Sequence, residues 1–332
     1  MKLNLEQITK ITLGAVSVKE DKGVFSFYRF SPEEAKATDQ SNAKCTAGIE
    51  LNFQTDATAL NLSVDILRED TPRSFFAVDV FCDGEFAGSI QNIKDEDCVG
   101  DYANEEYTIG SFDGKFNFPS GEKNIRIVLP HSKICRITDI ELANATFIKP
   151  VKKSKLMLAF GDSITQGYDS LHPVNTYAMR LSAALDAELI NKGIGGECFK
   201  REIAETAEII DADLITVAYG INDYTVYTQE EFTKNCKGFI SVLAQKYKNT
   251  PIYVITPIWT TLRGKKYKFG DVADVDRIIS NICADFDNIK VVHGWDLVPH
   301  EEKHFGDLYL HPNDNGFEHY FKNLIKEIQA ND

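Results

Sequence analysis

A chain of 332 residues with 43% hydrophobic and 11% aromatic side chains exceeds the usual size of one domain and has material for two cores. Its formal net charge of -14 disfavours nucleic acid and anionic membrane as partners, because both repel an acidic surface, and the basic cluster Arg263-Gly264-Lys265-Lys266 is small against that background. No run approaches the roughly 18–20 apolar residues of a membrane-spanning helix. The start, Met1-Lys2-Leu3-Asn4-Leu5-Glu6, lacks the apolar stretch of a secretory signal. The seven cysteines, Cys45, Cys82, Cys98, Cys135, Cys198, Cys236 and Cys283, form no C-x-x-C pair, which leaves zinc ribbons and thioredoxin-like chemistry without support. Scattered thiols fit a reducing cytoplasm, with secretion after removal of a leader as the alternative.

Up to about residue 148 the dominant period is two. Ile49, Leu51 and Phe53 alternate with polar neighbours, as do Leu60, Leu62, Val64 and Ile66, then Phe76, Val78 and Val80, then Ile125, Ile127 and Leu129. Asp83-Gly84, Asp113-Gly114 and Pro119-Ser120-Gly121 read as turns between strands. The pattern predicts an all-β sandwich or jelly roll over 1–148. No internal repeat or low-complexity tract is visible. The polar stretch Lys149 to Lys155, which contains Pro150, reads as a linker.

From residue 156 the texture changes. Leu156-Met157-Leu158-Ala159-Phe160 is a continuous apolar run, as a strand buried on both faces requires. Tyr177, Leu181, Ala184 and Leu185 then fall at helical spacing, a strand follows near Leu189-Ile190, and a helix is expected within 199–210. Leu214 to Tyr219 is the next strand, and Thr228-Gln229-Glu230-Glu231 is a capping box for a helix through about Tyr247. Ile252–Ile255 and Ile289–Val292 are further strands, with helices at 272–286 and 317–328. Strands alternating with helices predict a three-layer α/β/α domain with a flavodoxin-like parallel sheet over 156–332.

In open α/β sheets, ligands bind beyond the carboxyl ends of the strands. Gly161-Asp162-Ser163 follows the first strand, Gly193-Ile194-Gly195-Gly196 the second, Gly220-Ile221-Asn222-Asp223 the third, and His311-Pro312-Asn313-Asp314 the fifth. Alone, Ser163 reads as a turn or N-cap serine, Asn222-Asp223 as an Asx-turn, and the glycines as a tight turn without the G-x-G-x-x-G spacing of a dinucleotide site. Together they present a serine nucleophile, an imidazole base and a set of donors for an oxyanion. Those donors are the backbone N–H groups of Ser163 and Gly196 and the side-chain amide of Asn222. Asp162 reads as a backbone-shaping residue, Cys198 as a small filler, and Trp259 and Tyr224 as pocket or core aromatics. His300-Glu301-Glu302-Lys303-His304 formally matches H-E-x-x-H, but Pro299, Lys303 and Gly306 oppose a regular buried helix, so it reads as a polar loop.

The ordered blocks Gly161-Asp162-Ser163-Ile164-Thr165-Gln166-Gly167, the turn at Gly196, Gly220-Ile221-Asn222-Asp223 and His311-Pro312-Asn313 resemble those of SGNH (GDSL-type) hydrolases across about 155–330. With Ile164-Thr165 in place of x-Gly, the serine turn is not a G-x-S-x-G elbow. The preceding β domain looks like the jelly roll of two-domain carbohydrate acetyl esterases, notably carbohydrate esterase family two. The resemblance implies ester hydrolysis through an acyl-enzyme without metal or organic cofactor, with acetyl on a carbohydrate as the substrate. The alternatives are a general carboxylesterase or lysophospholipase-like activity, and a non-catalytic carbohydrate-binding protein on a hydrolase fold. A small ester or oligosaccharide is the expected partner, with self-association left open. The family places its acid three residues before the histidine, where this chain has Leu308. Either Asp307, brought in by a local bulge, or a backbone carbonyl then orients His311.

Overall fold

Alternation along Ala59–Leu67 buries Leu60, Leu62, Val64 and Ile66 and leaves Asn61, Ser63 and Asp65 partly exposed on the opposite face. The computed structural model describes residues 1–331 except 39, 40, 68–70, 95, 97, 99, 263, 264 and 266. Of the basic cluster at 263–266, only Lys265 therefore lies among the described residues. Ala59–Leu67 belongs to an antiparallel sheet of order Ser17–Asp21, Val24–Tyr28, Ile134–Ala143, Ala59–Leu67, Ser111–Asn117. A second sheet runs Thr12–Leu13, Glu50–Thr55, Lys123–Val128, Ala77–Cys82, Glu85–Gln91, with Ile148–Pro150 also paired to Glu50–Thr55. Leu51, Phe53, Val78, Val80, Ile125 and Ile127 from one sheet and Phe25, Leu62, Val64, Ile137 and Leu142 from the other join in one buried cluster. The N-terminal half is thus a β-sandwich.

Asp83-Gly84 turns the hairpin between Ala77–Cys82 and Glu85–Gln91, as the sequence predicts. Asp113-Gly114 does not turn the chain. Both residues lie inside Ser111–Asn117, and Gly114 pairs with Leu62. A Cβ at Gly114 would stand 2.7 Å from the Ile90 side chain, so the glycine marks a close approach between strands rather than a bend. Residues 149 and 150, expected in the linker, continue the pairing with Gln54 and Phe53, and Lys155 already opens the next sheet.

The C-terminal half holds a five-stranded parallel sheet of order Ala187–Gly193, Lys155–Gly161, Leu214–Ala218, Ile252–Ile255, Ile289–Val292. In chain order this is 2-1-3-4-5, the flavodoxin-like arrangement. Leu214 to Val217 and Ile252 to Ile255 are buried throughout, as expected for strands covered on both faces. Tyr177–Ala184 packs with the last helix, Asp314–Asn331, through the stacked rings of Tyr177 and Tyr320. Arg201–Thr206, Gln229–Lys246 and Ala273–Cys283 form the other helical group, where Phe239 meets Phe160 of the first strand. The predicted capping box is present: Thr228 accepts from the Glu231 N–H, and the Glu231 carboxylate accepts from the Thr228 N–H. Among the described residues, no helix is long and apolar enough to cross a membrane, and none of the seven cysteines is in a disulfide.

Candidate active site

The first strand lies inside the parallel sheet, between the second and third, so the turn after it projects above the point where the strand order reverses. Asp162 caps the short helix Ser163–Gln166 by accepting from the Ile164 N–H at 2.9 Å. Burial pushes its carboxyl up to about 6, against the hydrogen bond from Ile164 and the attraction of His311. Asp162 therefore shapes the turn, as expected. Ser163 is the first residue of that helix, and its Oγ lies 2.7 Å from Nε2 of His311.

His311 is presented by the loop before the last helix. The loop folds back on itself: Gly306 N–H donates to the His311 carbonyl and Asn313 N–H to the His304 carbonyl. Within it Leu308 adopts φ +64°, the left-handed conformation, and its side chain is exposed. That one residue absorbs the extra position between acid and base. Asp307 is thereby turned beneath the ring, with Oδ2 2.6 Å from His311 Nδ1. Its Oδ1 accepts from the N–H groups of Tyr309, Leu310 and His311, which locks the turn. Burial opposes charge on Asp307, but the His311 hydrogen bond and charge and the backbone donors outweigh it and hold the carboxyl below its ordinary value. Of the two orienting groups left open by the sequence, the structure brings Asp307 to Nδ1. Nε2 then faces the serine hydroxyl as acceptor.

Gly196 and Asn222 arrive from the neighbouring strand ends. Gly196 is exposed, with φ +80° and no atom within 4 Å of where a Cβ would stand. A side chain there would strain the backbone rather than collide. No described residue accepts from the N–H of Ser163 or Gly196. The Asn222 amide donates to the Glu197 carbonyl at 3.0 Å, and Asp223 accepts from the Phe199 N–H at 3.1 Å. One Asn222 N–H is thus committed to holding the segment after Gly196, and the second remains. Asp223 is raised to about 7 by burial.

Residues that the sequence reading did not single out come from the sandwich. Arg73 is buried and forks onto Asp169, Nε to Oδ1 at 2.5 Å and Nη2 to Oδ2 at 3.2 Å. Its Nη2 also lies 3.3 Å from His311 Nδ1 and 3.5 Å from Asp307 Oδ2. Tyr102 donates to the Asp169 carbonyl at 2.5 Å. Arg29, fully buried, donates to the carbonyls of Asn42, Cys45, Asn191 and Gly193, which ties the sandwich to the strand that carries the glycine turn. Burial lowers its guanidinium to about 10. Arg29 and Arg73 lie outside any motif, and only the docking of the two halves reveals them. Asp169, Asp307 and His311 have ligand-type atoms within 4.8 Å of one another, the one such group of three among the described residues. In this structure the positive charge among them is the Arg73 guanidinium.

The GDSL-like lipase/acylhydrolase family model matches residues 159–319, a span that contains Ser163, Gly196, Asn222, Asp307 and His311. The C-terminal part of the chain is a GDSL/SGNH acylhydrolase domain. It belongs to a family of ester hydrolases. No curated protein sequence matches the chain. Solved structures share its fold across both halves at low identity. The salicylyl-acyltransferase SsfX3 from a tetracycline biosynthetic pathway superposes with a TM-score of 0.75 at 20% identity, covering 96% of this chain and 94% of that one. A protein from Bacteroides ovatus named as a GDSL-like lipase gives 0.74 at 19%, covering 99% and 97%. A family two carbohydrate esterase from Clostridium thermocellum, solved with cellohexaose, gives 0.63 at 13%, covering 93% and 99%.

Other side chains singled out in the acylhydrolase domain lie elsewhere or serve packing. Tyr224 is buried, packs on Tyr267 and Phe269, and donates to the Lys265 carbonyl, so it is a core residue here. Trp259 is partly buried and stacks on His300 at 5.6 Å. His300 and His304 do not share a helix: His304 ends a single 3-10 turn and meets His319, while His300 contacts the Trp295 carbonyl. Cys198 is buried, and burial raises its thiol above the ordinary value, consistent with a filler.

Proposed function

We propose that this chain hydrolyses carboxylic esters through an acyl-serine intermediate, with acetylated carbohydrate as its substrate class. The observation that carries the mechanism is the continuous chain Ser163 Oγ, His311, Asp307, with contacts of 2.7 and 2.6 Å. His311 Nε2 takes the hydroxyl proton as Oγ bonds to the ester carbonyl carbon, and Asp307 stabilises the imidazolium. The oxyanion is met by the N–H groups of Ser163 and Gly196 and the remaining N–H of Asn222. The bond from the carbonyl carbon to the leaving oxygen then breaks, and that oxygen departs with the proton held by His311. Water, deprotonated by the same imidazole, repeats the sequence on the acyl-serine and releases the acid. Support for the carbohydrate class is the likeness in fold, along both halves, to the family two carbohydrate esterase.

Hydrolysis of p-nitrophenyl acetate by the wild type and Ser163→Ala tests the mechanism. The expected loss in kcat is about 10⁴-fold or more. Equal rates in the two proteins would leave the carbohydrate-binding reading. Acetate release from acetylated oligosaccharides, set beside p-nitrophenyl esters of increasing chain length, tests the substrate class. Rates that climb toward long acyl chains would favour a general carboxylesterase or lysophospholipase-like enzyme. Acyl transfer is a second reading, favoured by the fold shared with the salicylyl-acyltransferase. It predicts that an added alcohol takes the acyl group in preference to water.

A further inference from the structure

The sandwich places one cation in a cluster that otherwise holds two carboxylates and the base. Asp307 Oδ2 is 2.6 Å from His311 Nδ1, and Asp169 Oδ2 is 3.9 Å from the same nitrogen. Asp307, Asp169 and Arg73 are all buried, so water screens their charges poorly. Arg73 spans both acids, and Asn104 Oδ1 accepts from its Nη1 at 3.0 Å. The Tyr168 ring lies 5.6 Å from the guanidinium and 5.5 Å from the imidazole. On its remaining sides His311 faces Ser163 and the buried Asp162. Asp169 is held in place from behind, by Tyr102 on its carbonyl and by Asp314, which accepts from Ser170 and Leu171.

The charge balance of the cluster depends on the arginine. With Arg73, the group of two carboxylates, guanidinium and neutral imidazole carries one negative charge, and it becomes neutral when His311 accepts the serine proton. Burial already raises the Asp169 carboxyl above its ordinary value against the pull of His311 and Arg73. Without Arg73 the same group must therefore either carry two negative charges around a neutral imidazole or take up a proton. A carboxylate within about 4–6 Å favours the protonated form of a histidine, and two favour it further. A base that is already protonated cannot take the serine proton. We propose that Arg73, contributed by the sandwich, is a positioning residue that offsets Asp169, so that His311 has the charge balance of one carboxylate and stays free to act as base. This rests on the esterase reading of Ser163 and His311.

The test is the pH dependence of kcat/KM for p-nitrophenyl acetate, with a parallel NMR titration of the His311 ring. Arg73→Gln is expected to move the acid limb and the His311 titration up by about one pH unit or more. Asp169→Asn, which leaves Arg73 in place, is expected to move both down. The double variant Arg73→Gln/Asp169→Asn, which removes one charge of each sign, is expected to return both toward wild type. Arg73→Lys keeps the charge and should leave the limb near its wild-type position even if kcat falls. An Arg73→Gln enzyme weakened equally at every pH, or a double variant with its limb still displaced, would overturn the proposal. Should Arg73→Gln not fold, Asp169→Asn with an unmoved titration would overturn it as well. The NMR titration reads His311 whether or not the protein turns over ester, and Ser163→Ala reads the esterase activity itself, so failure of one is distinct from failure of the other.

Discussion

The parallel sheet and the sandwich both deliver polar groups to the site around Ser163 and His311, by different routes. In the sheet, each group leaves the carboxyl end of a strand on a short turn: Ser163 after Lys155–Gly161, Gly196 after Ala187–Gly193, Asn222 after Leu214–Ala218. The route is local, and strand order alone brings the groups together. The sandwich works across the seam between the two halves. Arg73 reaches Asp169 across 96 positions of sequence, and Arg29 reaches Asn191 and Gly193 across more than 160. The sheet thus supplies the groups proposed to touch substrate, and the sandwich supplies cations that hold them. A glycine or asparagine at a strand end advertises its role through its turn. A buried arginine acquires its role only when a second surface closes over it.

That comparison can be broken from the sheet side first. Asp307→Asn keeps the turn's shape but removes the charge that fixes the His311 tautomer, so kcat should fall by about 10⁴-fold. Wild-type turnover in that variant would return the orienting role to a backbone carbonyl. Asn222→Ala should lower kcat by about 10²–10³ if its second N–H meets the oxyanion. A change confined to stability would leave Asn222 as the clamp on Glu197 and nothing more. From the sandwich side, Arg29→Met strips donors from four buried carbonyls and should cost at least about 2 kcal/mol in urea unfolding. A variant as stable as wild type would mean that the seam reorganises around the loss, and the contrast between the halves would weaken.

Much of the fold was legible because burial leaves a period. Leu60, Leu62, Val64 and Ile66 alternate, and Ile252–Ile255 begins and ends where its apolar run does. Two edge strands of the sandwich were not legible: Ser17–Asp21 and Glu85–Gln91 have too few buried positions to alternate visibly. Asp113-Gly114 misled, because a glycine needed for close packing has the same letters as one needed for a turn. Tyr224 read equally well as pocket or core, and burial assigned it to the core.

In the site, residue order along the chain sufficed to nominate Ser163, Gly196, Asn222 and His311, since each follows a strand whose end the parallel fold places on one rim. Their chemistry follows from residue type and strand direction, both written locally. The choice of Asp307 depended on a backbone turn, Leu308 at φ +64°, that no spacing rule contains. Arg73 and Asp169 depended on the docking of one half against the other. Charge balance around His311 is therefore a tertiary property: it depends on distances between buried groups, and those distances are fixed by packing across the seam.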